Sequence, residues 1–242
     1  MSSPAAADAS LLDTEFARCC LPYGGRPPML SLLPALADAP GSRLAAFADQ
    51  LLRRHGSSDS LNAVGPRGLD FVALRSWCSA RQRGRQSVLW LVTGAALQPV
   101  LDRLERIDLR FRLPSGSAVV ALEGAETGAA EAPVGAWLAR AAERLGIAGT
   151  HVVRAYVSPQ LESPLFTEVL LGGSPDLFVP PPSVAVRILD PVTLAEQPAG
   201  QPGRIALVVT GAEQPVVTED IGVIEGEGFR RVDEGPAAAA TS

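Results

Sequence analysis

The sequence is short of the residue types that mark several functional classes. Only three of its 242 residues are cysteine: Cys19, Cys20 and Cys78. Two are adjacent, and no C-x-x-C pair occurs. That leaves no thiolate set for zinc and no disulfide framework at this size, so buried or half-buried free thiols are expected. Aromatics make up 5%, the arginines are scattered, the formal net charge is −5 and the pI is near 5.1. A nucleic-acid surface needs a basic patch, so nucleic acid is not expected as a partner. Long hydrophobic runs are missing as well. Stretches such as Val88 to Val92 are far shorter than a bilayer crossing. Met1 to Ser10 has neither a positive start nor an apolar stretch. No secretory signal and no membrane partner are expected, and a cytoplasmic location follows by default. No G-x-S-x-G elbow is present, which weakens a hydrolase reading.

What is present suits a folded chain: 47% hydrophobic and 19% charged residues, in a length that fits one large domain or two small ones. Leu11 to Cys20 reads as a short helix and Met29 to Leu33 as a buried strand. Ser42 is placed to cap a helix running to His55, with Leu44, Phe47, Leu51 and Leu52 at helical spacing and Gly56 as the stop. Asp70 to Gln82 reads as a second amphipathic helix, with Val72, Leu74 and Trp77 as its apolar side. The apolar strand Ser87 to Val92 then leads into a helix, Ala95 to Ile107, with Leu97, Leu101 and Leu104 on one face. The strand Ala118 to Leu122, a helix from near Pro133 to Leu145 and the strand His151 to Ala155 follow. Such alternation implies parallel βαβ units with right-handed crossovers.

After residue 172 the pattern changes to glycine–proline turns and short strands at Ser183 to Leu189, Arg204 to Val209 and near Val216. The expected organisation is a flexible start (1–10), an α/β nucleotide-binding-like core (11–172), a smaller, mostly antiparallel β subdomain (173–234) and a disordered tail (235–242). Ligands of such sheets lie at the carboxyl ends of the parallel strands, here the loops 93–95, 123–132 and 156–166.

Four stretches carry a resemblance: LVTGAALQPVLDRLERIDLRFRLPSGSAVV (91–120), AYVSPQLESPLF (155–166), VRILDPVTLAEQPAGQPGRIAL (186–207) and VVTEDIGVIEGEGFRRV (216–232). In this order they are similar to the LuxE-type acyl-protein synthetases of bacterial luminescence, within the adenylate-forming (ANL) ligases. The resemblance implies the α/β fold of those ligases and a two-step reaction. A carboxylic acid attacks ATP to give an acyl-adenylate, and the acyl group then passes to a thiol. ATP or AMP and magnesium are the cofactors it implies. Implied partners are an acyl or aryl acid and a protein such as an acyl-activating enzyme or an acyl carrier.

By the same resemblance, Asp220 stands at the ribose-binding aspartate, Thr218 at its companion, and Tyr156 at a conserved-motif tyrosine that offers a stacking surface. Gly124 keeps one glycine of the family's glycine-glycine-aromatic-lysine turn. The departures are as informative. Glu123 and Glu126 replace the other glycine and the lysine of that turn, and Gln160 replaces the magnesium-binding glutamate behind Pro159. No counterpart of the phosphate loop, the hinge or an acceptor cysteine is seen, so a core truncated at both ends is expected. These replacements imply a degenerate ATP/Mg site and a binding or partner subunit. Three other readings stand beside it: an active ligase, a half-enzyme completed by a second polypeptide, and a scaffold without a ligand.

Each residue also has a plainer role. Asp220 would cap a turn, Tyr156 would be a core aromatic at a strand end, and Glu123 and Glu126 would be solvated loop carboxylates. His55 would interact with its helix C-terminus. His151 has no catalytic partner at a suggestive spacing. An open cleft between Tyr156 and Asp220 favours a retained ligand; side chains filling that space favour a scaffold.

Overall fold

The computed structural model describes residues 4–22, 24–123, 134–147, 151–158, 161, 163–211 and 214–232. Five helices are described: α1 (Pro4–Cys20), α2 (Arg43–His55), α3 (Phe71–Arg83), α4 (Gly94–Arg106) and α5 (Val134–Leu145). The strands are β1 (Met29–Pro34), β2 (Leu61–Gly65), β3 (Gly68–Leu69), β4 (Leu89–Thr93), β5 (Ala118–Glu123), β6 (Val152–Tyr156), β7 (Leu165–Thr167), β8 (Phe178–Val179), β9 (Val184–Leu189), β10 (Gly203–Val209), β11 (Val216–Glu225) and β12 (Gly228–Arg231). They form one twelve-stranded sheet in the order β3-β2-β1-β4-β5-β6-β7-β8-β12-β11-β10-β9. Pairing is parallel from β2 through β1, β4 and β5 to β6, and antiparallel from β6 onward to β9. A parallel βαβ layer thus continues into a smaller antiparallel β region.

Every residue of β4, β5 and β6 is buried, as strands covered on both faces must be. Successive side chains alternate between two cores. Leu30, Trp90, Val92, Val119 and Ala121 pack with Leu74 of α3, Leu97, Leu101 and Leu104 of α4, and Trp137 of α5. Met29, Leu89, Leu91, Val120 and Leu122 pack on the other side with Phe16 of α1 and Leu44 and Leu51 of α2. A third core, with Tyr156, Leu165, Phe178, Ile188, Ile205, Leu207 and Phe229, lies where the sheet becomes antiparallel.

The caps follow local chemistry. Ser42, Asp70 and Thr93 each accept a bond from a backbone N–H in the first turn of α2, α3 and α4. Thr93-Gly94 therefore opens a helix. On α3 the expected apolar side is corrected: Val72 is 76% exposed, while Leu74 and Cys78 are buried. Val72 is two positions, about 200° of helix rotation, from Leu74, so the two cannot share a face. All three cysteines are buried and free. Among the described residues no helix is long and apolar enough to cross a membrane.

The antiparallel region depends on close backbone approach. A Cβ on Gly228 would stand 2.5 Å from the Phe178 carbonyl oxygen and 2.9 Å from Leu177 Cγ. The carbonyl cannot move without breaking the β8–β12 pairing. Gly228→Ala is expected to lower stability by about 1–3 kcal/mol, read by urea denaturation.

Candidate functional site

The period of two along a strand sets up the site. On β6, Val153 and Ala155 enter the core beneath α1 and α2, so Arg154 and Tyr156 take the opposite face. On β5, Val119 and Ala121 enter the core beneath α3 to α5, and Glu123 follows them on that face. Glu123 and Tyr156 are register partners at the carboxyl ends of their strands. There the helix cover ends and β11 and β12 bring up Asp220 and Arg231.

These side chains form one continuous polar network. The Tyr156 hydroxyl donates to Asp220 Oδ2 at 2.7 Å, and Arg231 Nη2 donates to Asp220 Oδ1 at 3.0 Å. Arg231 Nη1 lies 3.6 Å from Glu123 Oε2. Glu123 receives both prongs of Arg154, Nε at 2.8 Å and Nη2 at 2.7 Å, and Arg154 Nη1 reaches Asp176 at 2.9 Å. Three carboxylates and two guanidinium groups leave one formal negative charge, with the tyrosine neutral. Burial first, then the Asp220 carboxylate, push the Tyr156 phenol well above its ordinary range. The Arg154 guanidinium is shifted upward despite its burial, because Glu123 and Asp176 hold its charge.

Aromatic rings pack around Tyr156. Phe178 and Phe229 stack at 5.3 Å, and Tyr156 meets both edge-on, at 6.0 and 5.7 Å. Arg231 sits 5.9 Å from the Tyr156 ring centroid. Tyr156 is fully buried.

The structure thus joins two residues singled out from the sequence, Tyr156 and Asp220. Thr218, on the same strand as Asp220, donates its hydroxyl to the Ile205 carbonyl at 3.0 Å, and its side chain also meets the Tyr156 hydroxyl. Gly124, Glu126 and Gln160 lie outside the described residues. Glu123 is corrected: it is 2% exposed and bidentately paired, not a solvated loop carboxylate. Arg154 and Arg231 were missing from the sequence reading. The signal for Arg154 was a lone charge inside the apolar run Val152-Val153-Arg154-Ala155-Tyr156, since a buried charge requires a partner. His55 Nε2 lies 3.2 Å from Asp13 Oδ1, and His151 Nδ1 lies 3.1 Å from the Ser117 carbonyl oxygen. Among the described residues, no group of three His, Cys, Asp or Glu side chains could hold a metal ion.

Asp220 accepts one hydrogen bond on each oxygen, from Tyr156 and from Arg231, so a ribose diol placed here would compete with both for that carboxylate. A stacked base needs an uncovered ring face, and Tyr156 offers none. Tyr156→Phe is expected to cost about 1–2 kcal/mol of stability in thermal or urea melts and to leave the fold intact, because Asp220 keeps Arg231.

No protein-family model and no curated protein sequence matches the chain. Solved structures do. ATP-bound MatB from Rhodopseudomonas palustris aligns with a TM-score of 0.65 and 13% identity over 93% of this chain and 43% of that one. The long-chain-fatty-acid-CoA ligase FadD1 from Archaeoglobus fulgidus aligns at 0.60 and 12% identity, over 93% and 47%. The amide bond synthetase McbA from Marinactinospora thermotolerans aligns at 0.60 and 17% identity, over 94% and 44%. The chain spans less than half the length of each of these proteins. Its fold is that of the adenylate-forming ligases; at such identities the likeness is one of fold.

Proposed function

We propose that the chain is a LuxE-like member of the adenylate-forming lineage in which the adenylate position is filled by the protein's own side chains. It acts as a binding or partner subunit beside an acyl- or aryl-activating enzyme or an acyl carrier, and carries out no ATP chemistry alone. The supporting facts are the shared fold, the four motif-like stretches and the geometry at Tyr156 and Asp220. The observation that carries the reading is the engagement of both Asp220 oxygens by Tyr156 and Arg231 beside a Tyr156 ring with no exposed face.

The test is acyl-hydroxamate formation by the purified full chain with ATP, magnesium, hydroxylamine and a panel of aliphatic and aromatic acids. No ATP-dependent hydroxamate above the blank is expected. Product that depends on ATP and on the protein would overturn the proposal.

A further inference from the structure

A cavity lies at the opposite end of the parallel strands from the Asp220 network. It is a cleft of about 590 Å³, bordered by the segments that lead into β1, β4, β5 and β6, the C-terminal end of α1 and the 3-10 turn Val169–Leu171. Leu21, Val88, Leu89, Val169, Leu170 and Cys20 give it apolar walls. Its volume falls in the range of sites for small organic ligands, which are mostly apolar with a few fixed polar groups.

The polar groups are few and already positioned. Arg26 donates from Nε to the Gly56 carbonyl at 3.0 Å and from Nη2 to the Arg53 carbonyl at 2.8 Å, both at the C-terminal end of α2. Its Nη1 makes no hydrogen bond among the described residues. His151 is held through Nδ1 by the Ser117 carbonyl, which can only accept, so Nδ1 carries the proton and Nε2 remains as the ring's other polar atom. Ser87 donates to the Ser115 carbonyl at 2.6 Å. Among the described residues no aspartate or glutamate lines the cleft, although the chain as a whole carries a formal charge of −5. The lining is therefore electropositive against the average of the molecule.

We propose that this cleft binds an amphipathic monocarboxylate, with the carboxylate on Arg26 and the apolar body against Val88, Leu89, Val169 and Leu170. A guanidinium fixed at two nitrogens loses little freedom when its third nitrogen meets an anion, and a charge-assisted bond is the stronger kind. The neighbouring walls suit a hydrocarbon or aryl body and offer no second charge. The cleft shares no lining residue with the Asp220 network, so binding there does not depend on whether that site is closed.

The test is calorimetric titration of the full chain with octanoate, and with octanamide as the uncharged probe of the same length. Saturable one-to-one binding of octanoate is expected, with octanamide at least tenfold weaker. Arg26→Gln should weaken octanoate at least tenfold while melting near the native temperature, and Leu170→Trp, which fills the cleft, should do the same. Absence of saturable octanoate binding overturns the proposal. So does equal affinity for octanamide, or undiminished octanoate binding by folded Arg26→Gln. If Arg26→Gln does not fold, the octanoate and octanamide comparison on the native chain decides.

Discussion

Arg154→Met is expected to cost the fold on the order of 3–5 kcal/mol, enough to unfold a marginal domain. The reason is what it leaves behind. Glu123 is 2% exposed and takes both of its short hydrogen bonds from Arg154. Without the guanidinium, a carboxylate stays in the interior with only Arg231, 3.6 Å away, as compensation. Methionine keeps an unbranched apolar stem in place of the arginine stem, so most of the loss comes from charge and hydrogen bonding. The double variant Arg154→Met, Glu123→Met should recover most of the stability, because removing both members of a buried pair is far less costly than removing one. Urea denaturation of native, single and double variants measures this as a coupling energy. A single variant within about 0.5 kcal/mol of native would mean that Glu123 reaches water and that the network is not buried.

Stability is expected to fall steeply from pH 9 upward. Unfolded thiols titrate near pH ~8.5. Burial pushes the Cys19 and Cys78 thiols up to about 12, and it pushes Cys20 upward as well. The folded state therefore keeps protons that the unfolded state releases. The contribution is fully present below the unfolded value and is lost as pH rises toward 12. Each thiol adds a slope of about 1.4 kcal/mol per pH unit in that window. Tyr156, raised by burial and Asp220, adds to the slope above its unfolded value. Urea denaturation at stepped pH from 7 to 10.5 measures the slope, and Cys78→Ala should reduce it by about one thiol's share. A stability that stays level to pH 10 would show that the thiols are not held in a dry core. The same burial predicts that a thiol reagent reacts with the native chain far more slowly than with the urea-unfolded chain.

Much of the fold was legible because it is written in local signals. The run from Ser42 to Gly56 carries its own start, apolar face and stop, and α2 occupies Arg43–His55 as that run requires. Leu97, Leu101 and Leu104 share a face by spacing alone, and all three are fully buried. The strands β3, β7 and β8 were not legible. They span two or three residues, too few for any period to show, and exist only because longer neighbours present a free edge. β12 was hidden behind the turn signal of Gly226 to Gly228, although Gly228 is its first residue.

The site divides along the same line. Tyr156 and Asp220 are 64 residues apart, so only resemblance could pair them in advance. That Asp220 would be occupied by Tyr156 and Arg231 could not be read at all, because it depends on β11 and β12 lying across the end of β6. Glu123 was misjudged for a related reason. Its neighbours in sequence suggest a loop, while its surroundings are set by Arg154 on the next strand.

Titration calorimetry of the purified full chain with AMP, and separately with ATP and magnesium, tests the closed site most directly. No saturable binding of either nucleotide up to millimolar concentration is the expected result, since Tyr156 and Arg231 hold Asp220 and the Tyr156 ring is buried. Binding of AMP at micromolar concentration, lost in Asp220→Asn, would contradict it and return the chain to the nucleotide-using ligases whose fold it shares.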